Sequence, residues 1–161
     1  MDAHCVAACC FLRLRRYGVG ISDCIHTARG LLEGGAEHVT LLYCIRFVAE
    51  AVFRDQIEEL KLEYGESGRF AVRYYFSREP KPPAGVEGAL CGRLQLEGLQ
   101  TAFAGWRQVA RECAFLVVGT RDMCRQTYSM LADLGLGPRR LCGFSGTEVN
   151  PAGSSGNARL L

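Results

Sequence analysis

A short glycine motif near the start of the chain, Gly18-Val19-Gly20-Ile21-Ser22, has the residue types of a phosphate-binding turn. It lies between an apolar run and a segment with helical periodicity. Two glycines let the backbone approach a pyrophosphate closely, and the N-terminus of the following helix offers free N–H groups. The third glycine of the dinucleotide fingerprint is missing, so an ordinary strand-to-helix turn stays open as an alternative.

Three arginines and a serine form a second group of residues that could bind a ligand. Arg46 stands shortly after the apolar run HVTLLY, and Ser77 and Arg78 stand directly after the run FAVRYYF. Arg93 comes beyond a proline-rich loop over residues 80–88. Each residue alone is typical of a solvated loop, turn or rim position. Their coincidence behind adjacent strands instead favours phosphate binding, because guanidinium groups pair bidentately with phosphate.

The elements that must position these residues form an alternating pattern of short apolar runs and longer amphipathic segments. The predicted strands cover residues 6–14, 38–43, 70–76, 114–118 and 140–144, and the predicted helices cover residues 22–32, 48–62, 96–110 and 122–134. This alternation predicts an α/β domain of three layers, with a doubly wound parallel sheet between helices. A ligand is then expected beyond the carboxyl ends of the strands.

The order of these motifs resembles the pyridine-nucleotide half of ferredoxin–NADP reductases, and the bacterial flavodoxin/ferredoxin reductase branch most closely. The matching motifs are Gly-x-Gly-Ile-Ser, LLYCIR with FVAEAVFR, FSRE, Gly92-Arg93-Leu94 and a Gly-x-x-x-Met turn from Gly119 to Met123. The resemblance implies a ferredoxin reductase-like domain over residues 1–144, with a five-stranded sheet of order 3-2-1-4-5. Composition predicts a disordered C-terminal tail over residues 145–161.

The resemblance also implies the cofactor and its site. NADP(H) is expected, with its 2′-phosphate held by Arg46, Ser77, Arg78 and Arg93, whereas a site for NAD would place an acidic group near the ribose hydroxyls. The rest of the nucleotide site is expected to comprise Gly18, Val19, Gly20, Ile21, Ser22, Gly119, Thr120 and Met123. FAD is expected only if another domain or chain supplies it. The expected protein partner is a flavoprotein or a ferredoxin-type electron-transfer protein.

The chain departs from the family at several positions. Tyr17 stands where a first glycine is usual, Asp23 replaces a proline, and Thr120 lies in a turn that lacks the usual cysteine. The family's flavin-binding barrel has no counterpart in these 161 residues. An apolar surface near Tyr17, Val118 and Phe144 is therefore expected to favour self-association or partner binding. The alternative function is a non-catalytic nucleotide-binding or protein-interaction domain of the same fold.

Other residue types with catalytic potential form no motif. His4, His26 and His38 have no nucleophile or carboxylate at motif spacing and are predicted to be surface or helix residues. The nine cysteines include no Cys-x-x-Cys pair, which predicts thiols in a reducing compartment and no structural zinc. Four aromatic residues are predicted to belong to the core: Tyr74, Tyr75, Phe76 and Trp106. Catalytic residues stay unassigned.

The composition excludes several classes of protein. The chain has 161 residues, 48% hydrophobic and 22% charged, as in one globular domain. Its net charge of +2 excludes the dense basic field of a nucleic-acid-binding protein. The apolar stretch over residues 5–12 is too short to span a bilayer and lacks a secretory cleavage site. A cytoplasmic protein is expected, with organelle targeting left open by Arg13, Arg15 and Arg16.

Overall fold

The structure is a computed structural model, and it describes residues 5–11, 19–103, 114–135 and 141–143. The strands are β1 (Cys5–Phe11), β2 (His38–Ile45), β3 (Phe70–Phe76), β4 (Ala89–Cys91), β5 (Ala114–Val118) and β6 (Leu141–Gly143). The helices are α1 (Val19–Glu33), α2 (Arg54–Tyr64), α3 (Leu96–Ala102) and α4 (Arg121–Asp133), with a 3-10 helix at Val48–Glu50. Gly18 and the predicted tail over residues 145–161 lie outside the described residues.

Within the described part of the chain, one sheet contains six strands in the order β4-β3-β2-β1-β5-β6. Every pair of neighbouring strands is parallel. The predicted α/β domain with a parallel sheet is confirmed, but the sheet has one strand more than the predicted five. The additional strand, β4, lies at the edge and pairs with residues Tyr74–Phe76 of β3. A segment of three residues is too short to show a hydrophobic periodicity in the sequence. Only its pairing with β3 defines it as a strand.

Two clusters of buried side chains lie on opposite faces of the sheet. Alternate residues of β2 divide between the two clusters, because successive side chains of a strand point to opposite faces. The first cluster includes Leu32 of α1 and Leu60 of α2. The second includes Leu99 of α3 and Leu131 of α4, both fully buried. Helices therefore cover both faces of the sheet.

The first helix begins earlier than the sequence predicts. α1 starts at Val19, three residues before the predicted start at residue 22, so Gly20 and Ile21 belong to the helix and not to the preceding turn. Ile21 is 1% exposed and packs in the first core cluster. Burial of this side chain helps to hold the first turn of α1 against the sheet.

The single helix predicted over residues 48–62 is two elements. The 3-10 helix Val48–Glu50 is separated from α2 by Phe53, whose φ of 63° places it in the left-handed region. A left-handed residue cannot continue a right-handed helix, and for a bulky side chain this conformation is unusual. In a single helix over residues 48–62, the spacing of Val48 and Val52 predicts that both face the core, but Val52 is 45% exposed. The helical spacing of Val48 and Val52 was therefore misleading.

The other elements differ from prediction mainly at their ends. β3 and β5 have the predicted limits, β2 extends to Ile45, and α4 begins at Arg121. α3 ends at Ala102, and Trp106 lies outside the described residues. The core assignment of Tyr74, Tyr75 and Phe76 is confirmed, since each is at most 4% exposed.

The structure agrees with some of the predictions for the cysteines and histidines and differs from others. Cys24, fully buried in α1, is disulfide-bonded, so the prediction of a thiol is wrong at this position. Among the described residues, Cys44, Cys91 and Cys124 are not in disulfides. His26 is exposed on α1, as predicted, whereas His38 begins β2 and its Nδ1 lies 2.5 Å from the carbonyl oxygen of Gly68. No described helix is long and apolar enough to cross a membrane.

Candidate functional site at the carboxyl edge of the sheet

The carboxyl edge, meaning the residues that directly follow β2, β3 and β4, is held together by backbone hydrogen bonds. The Ser77 N–H donates to the Ile45 carbonyl at 2.8 Å, and the Arg78 N–H donates to the Arg46 carbonyl at 3.0 Å. The Gly92 N–H donates to the carbonyl of Phe76 at 2.9 Å. Pairing thus continues past the strand ends. Residues far apart in sequence are placed on adjacent backbones, about 4.8 Å apart per strand.

Two predicted ligand-binding arginines project from this edge into solvent. Arg78 follows β3 and Arg93 follows β4, and both are exposed. Neither has an ion-pair partner among the residues that the structure describes. Ser77, between β3 and Arg78, is half-buried. The edge therefore presents two arginines without an ion-pair partner among the described residues, together with a hydroxyl, which is a suitable donor set for a phosphate.

Arg46 differs from the other two arginines, because its guanidinium is already bound. Its Nε donates to Glu50 Oε2 at 3.1 Å, and its Nη2 donates to Glu50 Oε1 at 2.5 Å. Both carboxylate oxygens are used, which makes the pair bidentate. Glu50 is not among the site residues predicted from the sequence, although its i,i+4 spacing from Arg46 is a signal for such a pair.

Glu79 contributes a second acidic side chain to the same edge. Its Oε1 accepts a hydrogen bond from the Val48 N–H at 2.8 Å, and Val48 is the first residue of the 3-10 helix. The segment after β3 therefore fixes the start of the helix that carries Glu50. The carboxylate of Glu79 satisfies an N–H that the short helix cannot satisfy itself.

The N-terminus of α1 lies beside the end of β5. An ideal Cβ built on Gly20 would lie 2.6 Å from Val118 Cγ1, so the two elements approach too closely for a side chain at this position. α1 begins at Val19, and the first backbone N–H groups of a helix, here those up to Ile21, have no acceptor inside the helix. Such N–H groups and the positive end of the dipole favour an anion. Because the Ile21 side chain is buried, only its backbone is suited to a ligand.

The turn after β5 caps the N-terminus of α4. The Thr120 hydroxyl accepts a hydrogen bond from the Met123 N–H at 3.4 Å and caps the helix. Both groups were predicted to bind a nucleotide, and the structure gives them a capping contact. Cys124 is the next thiol along, and burial raises its pKa, so its thiolate is disfavoured. Gly119 and Thr120 remain half-buried at the same end of the sheet.

Metal chemistry has no support in the described residues, which contain no group of three or more His, Cys, Asp or Glu side chains able to hold an ion. The site has cationic and backbone donors instead. Arg46, Ser77, Arg78 and Arg93 follow neighbouring strands, and α1 and α4 direct their N-termini to the ends of β1 and β5. This arrangement suits an extended anionic ligand that crosses the sheet edge.

Comparison with known proteins identifies the fold. No protein-family model and no curated protein sequence matches the chain. A solved structure of the CS-b5R domains of human Ncb5or, in the NAD+ form, matches with a TM-score of 0.62 and 16% sequence identity. The match covers 88% of this chain and 36% of the other, so this chain spans about a third of that neighbour's length. The likeness supports a ferredoxin reductase-like fold.

Proposed function

We propose that residues 1–144 form the NADP(H)-binding domain of a ferredoxin reductase-like, flavin-dependent oxidoreductase. The observation that carries this proposal is the carboxyl edge, where Arg46, Ser77, Arg78 and Arg93 follow three neighbouring strands of one parallel sheet. A 2′-phosphate needs several convergent cationic and hydroxyl donors. The order of the strands supplies several such donors at one edge of the sheet.

The residues present fit a dinucleotide in two places. Arg78 and Arg93, exposed and without described ion-pair partners, attract the 2′-phosphate, and Ser77 donates to it. The first turn of α1 receives the pyrophosphate, because the absent side chain at Gly20 lets the helix start lie close to β5. NADPH supplies the hydride when bound, and the chain supplies position and electrostatics.

The flavin in this proposal is carried by another domain or chain, and the electron partner is a flavoprotein or a ferredoxin-type protein. The similar structure is an NAD+ form, which supports a pyridine nucleotide as the ligand class. It also makes NADH the natural competitor in any binding test. Both nucleotides share the pyrophosphate and nicotinamide, so only the 2′-phosphate distinguishes them.

Calorimetric titration of the purified chain tests the binding proposal. The ligands are NADPH and NADH, with 2′,5′-ADP and 5′-AMP as fragments that differ only in the 2′-phosphate. NADPH and 2′,5′-ADP are expected to bind more tightly than their counterparts, because each adds charge-assisted hydrogen bonds to Arg78 and Arg93. Equal affinities within each pair would overturn the assignment of the 2′-phosphate site.

Stopped-flow spectroscopy under anaerobic conditions tests the flavin proposal. The chain is mixed with NADPH and a dye acceptor, with and without FAD, and with a flavoprotein partner. Turnover is expected only with the partner, because hydride transfer requires reacting carbons held about 3–3.5 Å apart. Rapid turnover with the chain alone, or with free FAD, would contradict a flavin held elsewhere.

A protein-interaction domain is the second candidate, and one observation favours it. Three large apolar side chains near the carboxyl edge are exposed: Phe47 at 38%, Val52 at 45% and Phe53 at 37%. Contiguous exposed apolar residues are typical of surfaces that bind proteins. If this is the function, no nucleotide binds, and Phe47→Ser with Phe53→Ser abolishes self-association measured by light scattering.

A further inference from the structure

The Arg46–Glu50 pair stands at the place where a 2′-phosphate is proposed to bind. Two guanidinium nitrogens of Arg46, Nε and Nη2, donate hydrogen bonds to the Glu50 carboxylate at 3.1 Å and 2.5 Å. The Arg46 side chain is 33% exposed and the Glu50 side chain 20% exposed. The pair is therefore partly withdrawn from solvent, where screening is weaker than at a fully exposed ion pair.

The backbone around Glu50 holds its carboxylate in place. The Glu50 N–H donates to the Phe47 carbonyl at 3.0 Å, and the Ala51 N–H donates to the Val48 carbonyl at 3.0 Å. Glu79 fixes the Val48 N–H at the start of this turn. At the other end of the pair, the Arg46 carbonyl accepts from the Arg78 N–H. Arg46 and Glu50 therefore both belong to segments that are hydrogen-bonded to the residues after β3.

We propose that Glu50 is a specificity-determining residue that weakens the binding of a 2′-phosphorylated nucleotide. The inference rests on the proposed nucleotide site. A carboxylate and a phosphate are both bidentate acceptors for a guanidinium, and one face of the Arg46 fork serves only one of them at a time. A nucleotide phosphate that displaces the carboxylate also leaves that negative charge nearby, and like charges repel.

Glu50 has the opposite effect on a nucleotide with a free ribose hydroxyl. The 2′-hydroxyl is neutral and donates a hydrogen bond, and a carboxylate at this place is the usual acceptor in NAD sites. The chain thus carries both recognition elements side by side, the arginine for a phosphate and the glutamate for a hydroxyl. Arg78 and Arg93 still attract the phosphate, so Glu50 reduces the preference for NADPH below what three arginines would give.

The test is the ratio of NADPH to NADH affinity in Glu50→Gln, measured by calorimetry with 2′,5′-ADP and 5′-AMP as fragment probes. Glutamine keeps the shape of the side chain and removes its charge. We expect NADPH and 2′,5′-ADP to bind about tenfold more tightly, which corresponds to about 1.4 kcal/mol, and NADH to bind equally or more weakly. Glu50→Asp keeps the charge but has a shorter side chain that reaches Arg46 less well. It is expected to give a smaller increase in the affinity for NADPH and 2′,5′-ADP.

Two matched variants separate a local effect from a general one. Glu59→Gln removes the same charge from the exposed face of α2, where Glu59 pairs with Arg29, and the affinity ratio should not change. Arg46→Ala combined with Glu50→Gln should lose the gain, because the released guanidinium is then absent. Thermal unfolding of each variant verifies that it is folded.

Each outcome is decisive. An unchanged affinity ratio in folded Glu50→Gln would overturn the inference and leave the proposed function intact. An equal gain in Glu59→Gln would reduce the effect to net charge and would also overturn it. Failure of every variant to bind either nucleotide would overturn the proposed function itself and the role of Glu50 with it.

Discussion

Gly20 and Val118 approach so closely that a Cβ on the glycine would lie 2.6 Å from the valine Cγ1. Gly20 lies in the first turn of α1, and Val118 ends β5. Valine is stiff at χ1 and cannot easily move aside. The contact therefore sets how near the start of α1 lies to the strand end, which is the place where a pyrophosphate is proposed to bind.

We predict that Gly20→Ala lowers the free energy of unfolding by about 1–2 kcal/mol, because overpacking a close contact costs more than alanine gains in helix propensity. The displaced helix start should also weaken NADH and NADPH by the same factor, since they share the pyrophosphate. Urea unfolding and calorimetry measure the two effects.

The matched control is Gly30→Ala, also in α1, where an added Cβ meets nothing within 4 Å. This variant should gain about 0.5–1 kcal/mol from helix propensity and bind nucleotides as before. Adding Val118→Ala to Gly20→Ala should restore part of the lost stability. A fully stable Gly20→Ala with normal binding would show that the contact has no such role.

Arg78 and Arg93 are predicted to act on the phosphate of NADPH alone. Arg78→Ala or Arg93→Ala should weaken NADPH about tenfold or more, as expected for the loss of one charge-assisted interaction, and should leave NADH unchanged. Arg29→Ala is the control, because Arg29 lies in the C-terminal half of α1 and pairs with Glu59 and Glu63 of α2. Calorimetry should show no change in the nucleotide ratio for this control, and equal losses of both nucleotides in Arg78→Ala would contradict the prediction.

Tyr43 and Tyr74 offer a comparison of two buried hydroxyls. They occupy paired positions on β2 and β3, and both are fully buried. The Tyr43 hydroxyl donates to the Val52 carbonyl at 3.3 Å, whereas the Tyr74 hydroxyl has no hydrogen-bond partner among the described residues. Tyr43→Phe should cost about 1 kcal/mol, and Tyr74→Phe should be neutral or stabilising, because an unsatisfied buried hydroxyl is itself unfavourable. Urea unfolding should show a loss of stability in Tyr43→Phe and none in Tyr74→Phe, and equal losses in the two variants would contradict the prediction.

Alkaline pH should destabilise the fold through the same tyrosines. Burial raises the pKa of Tyr74 to about 12, with a further increase from nearby Glu58, and burial also raises the pKa of Tyr43. The pKa of each tyrosine in the folded state exceeds the unfolded value of about 10. The contribution of the neutral tyrosines to the free energy of unfolding is therefore complete below pH 10 and is lost as the pH rises toward 12. The free energy of unfolding measured between pH 8 and pH 11.5 should fall less steeply in Tyr74→Phe than in the unaltered chain. Equal slopes would contradict a perturbed Tyr74.

Local pattern was sufficient for the interior strands. β3 and β5 have the predicted limits, because apolar runs rich in β-branched and aromatic residues suit a sheet covered on both faces. The placement of Ser77 and Arg78 followed, since a residue that directly follows a strand lies at the end of the sheet. The three-residue β4 could not be predicted, because nothing within it specifies a strand and only β3 supplies its partner.

The sequence by itself determined the alternation of strands and helices, because hydrophobic periodicity is a local property that each segment carries alone. It also determined which side chains follow the strands. Only the tertiary structure decided the charge that a ligand would meet. The Glu50 carboxylate binds Arg46 because Phe53 breaks the predicted helix and Glu79, 29 residues beyond Glu50, anchors the remaining turn. The i,i+4 spacing of Arg46 and Glu50 makes the pair possible, but whether it forms depends on how separate segments pack, which no single segment specifies.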